Sequence, residues 1–467
     1  MKKFLSLIFV LTLIVSLFTG CKKDEGTYVL NGREISEYTI IYSATDPDYT
    51  QRAATYLSDQ IAAKTGLRLD VKSDAEQAEP LAHEILVGET NRAISASLDA
   101  ETEGFQFSML ADENHIAMEG DYFVIAAAAY YFMENFVKNA PFKSAVAQKP
   151  AVYEPIVKEA KNFAFLIGDG MGVGQTKLFD EIAPEDLDLI TDGESEFYGY
   201  MFPHQGFSIT WSLTGTTDSA AGGTALATGY KTMNYHVGRD EELNDVTSLT
   251  EIAIELGKAT AVISTESLDG ATPASFSAHA DDREDSDVIL ACQEKLAQDH
   301  GTIFLGGYHD NYDAETLKQV ESELTETLNT LSQDEDGFFI MYEEAYIDKH
   351  SHDNEMGLTF SAVTRFNQIV GTFMEYAFYN PDTFVLITAD HETGGLGMGM
   401  NDTYIYTTKN HTSADVPIFA YGMGAEVFDG KTVENIQIPK TIAHLWGVEL
   451  EGYDNESYPA LLPIKQN

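Results

Sequence analysis

The sequence predicts an α/β protein: a mostly parallel central sheet with helices on both faces, preceded by a small α/β N-terminal domain. Three observations predict it. Apolar strand-like runs recur beyond residue 160 and each closes on polar or ionisable residues: NFAFLIGDG, TAVISTES, GFFIMYEEAYIDKHSH, TFVLITADHETGG and DVPIFAYG. Helical segments lie between these runs, and continuous apolar strands alternating with helices require a sheet covered on both faces. The 467 residues suffice for more than one domain, and the segment from 27 to 150 has a pattern of its own.

The chain opens MKKFLSLIFVLTLIVSLFTGC. Lys2 and Lys3 precede an apolar run from Phe4 to Phe18. That run is shorter than the ~20 residues of a membrane span and suits a signal-peptide core. It ends Phe18-Thr19-Gly20-Cys21, which resembles a bacterial lipobox with Phe where Leu is usual. We expect residues 1–20 to be a lipoprotein signal peptide, Cys21 to carry the lipid, and residues 21–26 to form a charged tether. This would place the protein in the periplasm or on the cell surface of a bacterium, held to the membrane through Cys21. The alternative is an ordinary cleaved signal with a chance Cys. The other cysteine, Cys292, sits in the helical pattern DVILACQEKLAQ as a small core residue.

Between 27 and 137, YTIIYS reads as a strand. YTQRAATYLSDQIAAKTG reads as a helix stopped by Gly66, with Ala53, Ala54, Leu57 and Ile61 at helical spacing. EILVGET, GFQFSML and HIAMEG read as strands and YFVIAAAAYYFMENFV as an apolar helix. This order resembles the small accessory domain that precedes the catalytic barrel of several glycosidases. A Lys/Pro/Ala-rich connector, KNAPFKSAVAQKPAVYEPIVKEAK, then leads to residues 151–467. Lys+Arg number 28 against 75 Asp+Glu, a formal net charge of −47. Such a surface repels phosphate backbones, which excludes a nucleic-acid partner. Some of the carboxylates are then candidates for holding cations.

In parallel sheets the site forms at the carboxyl ends of the strands, and here the ionisable groups gather there. Asp169 follows a strand between two glycines, where a carboxylate reaches a metal or makes a local turn. Asp390 and His391 close the strand of TFVLITADHETGG. Asp348 and His352, four apart in YIDKHSH, share one face of a helical turn and form an ordinary Zn²⁺ ligand pair. An exposed helix face stays open as the other reading of that spacing. His411 in KNHTSADVP says little alone. Glu343 and Thr272 also end strands. Arg283 is flanked by Asp281, Asp282, Glu284 and Asp285, which by itself reads as a surface ion-pair cluster. Ser219, in TTDSAAGGTALATGYKT, has no base beside it. A Ser, an Arg, two His–carboxylate pairs and a third His at successive strand ends are what metal-assisted phosphoryl transfer requires.

These stretches, in order and rough spacing from about 155 to 467, resemble the alkaline phosphatases. The resemblance is carried by AKNFAFLIGDGMG, TTDSAAGGTALATGYKT, LDGATPASFSAH, EEAYIDKHSH, ITADHETGG and KNHTSADVPIFAYGMGAE. It implies hydrolysis of phosphate monoesters through a phosphoserine at Ser219, with two Zn²⁺ and one Mg²⁺. Asp348, His352 and His411 would hold the first zinc. Asp390, His391 and Asp169 would hold the second, with Ser219 facing it. Asp169 would extend to the magnesium with Thr272 and Glu343. Arg283 would clamp phosphate, oriented by Asp218, with Lys349 nearby. One departure stands out: the family often carries Asp, His or Trp two residues before Thr272, and here that residue is Gly270. The implied substrate is a small or glycan-linked phosphomonoester, and the family's frequent dimers imply a possible homodimer. Two rival readings are a phosphodiesterase or sulfatase on the same fold, and an inactive glycan-binding surface lipoprotein.

Overall fold

A computed structural model describes residues 28–45, 47–98, 104–138, 148–152, 160–180, 196–400 and 403–462. The expected signal peptide, tether and lipidation site at Cys21 lie outside the described residues.

Two large sheets, with three two-stranded ladders beside them, are formed among the described residues. The first contains β1 (Thr39–Tyr42), β2 (Val71–Ser73), β3 (Glu84–Val87), β4 (Gln106–Ala111), β5 (His115–Glu119) and β6 (Gln148–Val152), in the order β2-β1-β3-β5-β4-β6. Helices α1 (Pro47–Thr65) and α2 (Val124–Phe132) cover it. Gly66 ends α1 because the chain there needs φ of +78°, which glycine adopts without a Cβ penalty. Two strands are not legible in the sequence. β2 is too short for a periodic signal. β6 lies inside the Lys/Pro/Ala-rich connector and carries Pro150; it is an edge strand, the one place where a ladder tolerates the missing N–H.

The second sheet has eight strands: β7 (Asn162–Gly168), β8 (His204–Ile209), β9 (Ala259–Ser264), β10 (Ile303–Gly306), β11 (Phe338–Glu344), β12 (Thr383–Thr388), β13 (Val416–Tyr421) and β14 (Thr432–Glu434). Their order is β10-β9-β11-β7-β12-β13-β8-β14, and every pairing is parallel except those made by β13. The central strands β7, β11 and β12 are buried at every position, which is why they read as continuous apolar runs without alternation. The predicted mostly parallel sheet with flanking helices is therefore the observed one.

Five helices carry or flank the residues at the strand ends. They are α3 (Ser219–Thr228), α4 (Ala271–Ser275), α5 (Ser286–His300), α6 (Ala314–Leu331) and α7 (Tyr346–Asp353). A sixth, α8 (Met356–Tyr379), packs against α2 of the first sheet. The two sheets are not separated by a polar gap. One apolar cluster runs from Ile40, Leu57 and Phe123 through Phe366, Phe373 and Phe378 to Leu166 and Ile340. Phe105 stacks edge-on against both Phe378 and Tyr421, and Arg52 of α1 makes paired hydrogen bonds to Glu375 of α8 at 3.0 and 2.8 Å. The N-terminal sheet is thus fastened to the helical layer of the larger one by a shared core and an ion pair with two hydrogen bonds.

Candidate metal and phosphate centre

The functional groups collect where the parallel strands end. Asp169 leaves β7, Glu343 closes β11, and Asp390 and His391 leave β12. β13 is antiparallel, so its N-terminal side lies at that same edge and delivers His411 there. His411 is fixed by a two-residue ladder in which Glu392 faces Thr412 and Thr393 faces His411. This local pairing is what the lone His in the sequence could not reveal.

Ser219 is the first residue of α3. Asp218 caps that helix, its carboxylate accepting from the Ala221 N–H at 3.0 Å. Two α3 positions need glycine because the helix lies close to the metal-site loop. A Cβ on Gly222 would sit 2.9 Å from the Asp390 carbonyl oxygen, and one on Gly223 would sit 2.9 Å from the Ser275 hydroxyl of α4. The small-residue run after Ser219 is therefore the packing surface that brings the helix terminus to the strand ends.

Three imidazoles share one arrangement. His352 Nδ1 lies 2.5 Å from the Lys409 carbonyl, His411 Nδ1 lies 2.8 Å from the Thr217 carbonyl, and His391 Nδ1 lies 3.2 Å from the Thr393 hydroxyl. Each Nδ1 is thereby held as the donor, and each Nε2 lone pair is turned inward. His352 Nε2 and His411 Nε2 are 3.0 Å apart, and each is 3.5 Å from an oxygen of Asp348. His391 Nε2 is 3.2 Å from Asp390, 3.5 Å from Asp169 and 3.2 Å from the Ser219 hydroxyl oxygen.

Nitrogen lone pairs and carboxylate oxygens aimed at one another are a cation-binding arrangement. Asp348, His391 and His411 form one convergent group, and Asp169, Asp390 and His391 form another. His352 joins the first through its contacts with Asp348 and His411. His350, two residues before His352, points elsewhere and meets the Tyr312 hydroxyl at 2.8 Å.

The charge balance inside the cluster is unfavourable without a cation. Burial, then Asp348, raises Asp390 to about 6. Burial, then Asp390 and Asp348, raises Asp169 well above the usual carboxylate range. Burial, then Glu266, raises Glu343 to about 8. Burial, then His411, His352 and Arg283, lowers His391, which keeps its imidazole neutral and available as a ligand. Asp169 Oδ1, Asp390 Oδ2, Glu343 Oε1 and Thr272 Oγ1 are buried without a hydrogen bond of ordinary geometry. Three buried carboxylate oxygens left this way, facing one another and the Thr272 hydroxyl, call for a positive partner.

Arg283 does not join the acids that flank it. Its guanidinium turns to Asp218, with Nη1 3.4 Å from Oδ2, while Asp281 pairs with Arg239. Asp218 is held from a second side by the Tyr235 N–H at 3.0 Å. Lys349, on α7 beside Asp348, puts its Nζ 2.5 Å from Glu266. Burial lowers the Lys349 ammonium, but Glu266, Asp169 and Glu343 outweigh it and raise the group.

Two contributors are not marked by the sequence motifs. Thr393 donates to Asp348 Oδ1 and lies against His391 Nδ1, so one hydroxyl orients a ligand of each group. Glu266 follows the end of β9, the same strand-end signal that marks Glu343, and could have been found by it.

The comparisons with known proteins fall on the same region. A family model described as alkaline phosphatase matches residues 160–307 and 308–408. Alkaline phosphatase 3 of Bacillus subtilis is 28% identical over 327 residues, covering 59% of this chain and 70% of that protein. The structure of the alkaline phosphatase from the Antarctic bacterium TAB5 is 26% identical, covers 62% of this chain and 99% of that one, and superposes with a TM-score of 0.53. A mutant form of the TAB5 enzyme, with Mg bound in its M3 site, aligns over the same shares with a TM-score of 0.52 and 26% identity. The family match begins at residue 160, past the N-terminal sheet. With more than half of its length matched and its strand-end residues converging in space, the chain belongs to the alkaline phosphatase family.

Proposed function

We propose that the protein hydrolyses phosphate monoesters, with Ser219 as nucleophile and a phosphoserine intermediate. The observation that carries the reading is the three inward-facing imidazoles grouped with Asp348, Asp169 and Asp390, with one imidazole, His391, 3.2 Å from the Ser219 hydroxyl oxygen. The donor set fits two Zn²⁺, one with Asp348, His352 and His411 and one with Asp169, Asp390 and His391. The oxygens of Thr272, Glu343 and Asp169 fit a third, harder cation, Mg²⁺. Magnesium in the M3 site of a mutant form of the TAB5 relative supports that third site. When bound, these ions supply Lewis acidity toward phosphoryl and hydroxyl oxygens.

The chain's own residues then divide the work. The N-terminus of α3 presents free backbone N–H groups and a positive dipole beneath the phosphate. Arg283 binds two non-bridging oxygens through its planar fork, and Asp218 holds that fork in place. Ser219 Oγ attacks phosphorus, the ester P–O bond breaks, and the alcohol departs. Water then attacks the phosphoserine, breaks the Oγ–P bond and releases inorganic phosphate. The Nδ1 anchors of His352, His391 and His411 turn their Nε2 lone pairs toward the cations they would hold, so none of them is left to serve as the base that Ser219 lacks in sequence.

Arg283, Thr272 and Glu343 favour a monoesterase over a diesterase or sulfatase, and the full ligand set favours an active enzyme over an inactive glycan-binding scaffold. The test is hydrolysis of aryl phosphate mono- and diesters and an aryl sulfate by the metal-loaded protein, before and after chelation. Monoester preference that is abolished by chelator and restored by zinc is expected. Chelator-indifferent activity, or a preference for the diester or sulfate, overturns the reading. The N-terminal lipobox-like stretch extends the proposal to an extracytoplasmic, membrane-anchored enzyme. Mass spectrometry of the mature N-terminus tests this, with diacylglycerol on Cys21 expected.

A further inference from the structure

At Gly270 the space a side chain would take is filled. A Cβ on Gly270 would overlap the carboxylate of Glu266, with Oε1 and Cδ as its nearest neighbours. Glu266 lies four residues earlier, in the same short connection between β9 and α4. Its backbone N–H donates to Ser264 Oγ at 3.1 Å, and the same hydroxyl donates to Glu343 Oε2. Its Oε2 holds Lys349 Nζ at 2.5 Å. One strand end thus ties together Glu266, Glu343 and Lys349.

The neighbouring groups point to a ligand. Glu343 Oε1 and Thr272 Oγ1, on residues with no exposed surface, make no hydrogen bond of ordinary geometry. Glu343 keeps one oxygen on Ser264 and leaves the other to a different partner. A magnesium ion gives up its waters reluctantly and is held through one or two carboxylates, its remaining waters needing acceptors of their own. Glu266 is the additional carboxylate at that place, and its side chain retains only 15% of its exposure.

We propose that Glu266 is the positioning carboxylate of the third cation site, doing from position 266 what a side chain at position 270 cannot do here. It accepts hydrogen bonds from the cation's waters, and it holds the Lys349 ammonium away from full engagement with phosphate. Both roles rest on the phosphatase reading of the site. Glycine at 270 follows from this arrangement: any side chain there would displace the Glu266 carboxylate.

The test uses the full zinc-loaded protein. Mg²⁺ is titrated calorimetrically into the unaltered chain, Glu266→Gln, Gly270→Ala and the double variant Glu266→Ala/Gly270→Asp. Inorganic phosphate is titrated in parallel. Loss of a group that orients a metal's ligands or waters typically weakens metal binding by about 10- to 100-fold, and Glu266→Gln should fall in that range with zinc content unchanged. Phosphate should bind Glu266→Gln more tightly, because Lys349 is released. Gly270→Ala crowds the carboxylate without removing it and should weaken Mg²⁺ in the same direction. The double variant returns a carboxylate to the site from the other position and should recover most of the affinity. Equal Mg²⁺ affinity in Glu266→Gln and the unaltered chain overturns the proposal, as does a double variant no better than Glu266→Gln. An unaltered chain that hydrolyses monoesters with zinc but binds no Mg²⁺ overturns it too, while leaving the phosphatase reading intact. An unaltered chain that binds Mg²⁺ through Glu266 but hydrolyses no monoester does the reverse.

Discussion

Glu343 and Glu344 are consecutive residues at the end of β11, both fully buried, and the chain uses them in opposite ways. Neighbouring strand residues point to opposite faces of the sheet. On one face, Glu344 meets Arg365 in a fork of two hydrogen bonds at 2.6 Å each, and Thr265 Oγ1 and the Tyr346 N–H complete its oxygens at 3.1 and 3.2 Å. On the other face, Glu343 bonds Ser264 with one oxygen and leaves the second without a hydrogen bond of ordinary geometry. A buried carboxylate with every oxygen satisfied belongs to the scaffold. One left incomplete beside Asp169 and Thr272 is waiting for something the chain itself does not supply. The difference separates residues whose loss should cost activity from residues whose loss should cost stability.

The largest effect expected is on the incomplete face. Ser219→Ala removes the proposed nucleophile and should reduce turnover of p-nitrophenyl phosphate by a factor on the order of 10⁴ or more, with the unfolding midpoint almost unchanged. Retention of most activity would place the nucleophile elsewhere. The satisfied face should respond the other way. Arg365 also donates through Nη1 to the carbonyls of His309 and Asn311, at 2.7 and 3.1 Å. Arg365→Ala strands a buried Glu344 and should cost about 3–5 kcal/mol in denaturant unfolding. Replacing both partners with apolar residues of similar volume should recover much of that loss. A double variant no more stable than the single one would mean that Arg365 acts through its carbonyl contacts rather than through charge.

A third measurement turns on pH. Glu343 is raised to about 8, first by burial and then by Glu266, so the folded metal-free protein holds a proton there that the unfolded chain has already lost. A raised folded value means stability is fully present below the unfolded carboxylate range near 4 and is lost as pH climbs through about 8. His391, lowered by burial, acts in the opposite sense but only below its ordinary value near 6.5. Glu375, raised to about 7 by burial, adds to the same slope. The informative quantity is therefore a difference. The melting temperature of the chelated protein should fall between pH 6.5 and 8.5, and Glu343→Gln should fall less. Divalent cations should stabilise the unaltered chain most at the alkaline end, since binding there displaces no proton. Identical slopes for the two proteins would remove Glu343 from the unsatisfied set.

Much of this contrast was legible in the sequence. Buried parallel strands announce themselves as unbroken apolar runs, and NFAFLIGDG and TFVLITADHETGG each end on residues of the convergent groups. What could not be read is set by contacts distant in sequence. His411 stands at the site because β13 runs against its neighbours and because two residues pair with Glu392 and Thr393. The flanking acids of Arg283 by themselves suggested a surface cluster; the family resemblance pointed instead to Asp218, 65 residues away, and the fold brings the two within 3.4 Å. The N-terminal segment shows the limit most clearly. Its strands and helices follow from periodicity, but its fusion to the larger sheet depends on Arg52 meeting Glu375, 323 residues further on. The connector's edge strand carries too little pattern to be distinguished from a linker.

The two arginines offer the finest test of the comparison. Arg365 spends four hydrogen bonds on protein groups and keeps almost no exposed surface. Arg283 makes one side-chain contact at 3.4 Å, to Asp218, and keeps 28% of its side-chain exposure. A guanidinium with spare donors beside a helix N-terminus is poised for an anion, and its planar fork matches two phosphate oxygens in a way an ammonium cannot. Arg283→Lys keeps the charge and should leave the melting temperature almost unchanged. It should weaken inhibition by inorganic phosphate by about tenfold, the effect of losing one of two parallel hydrogen bonds to an anion. Arg365→Lys should do the opposite, lowering stability while phosphate inhibition stays put. If Arg283→Lys bound phosphate as tightly as the unaltered chain, only the charge at that position would matter. Asp218 would then serve the helix cap alone.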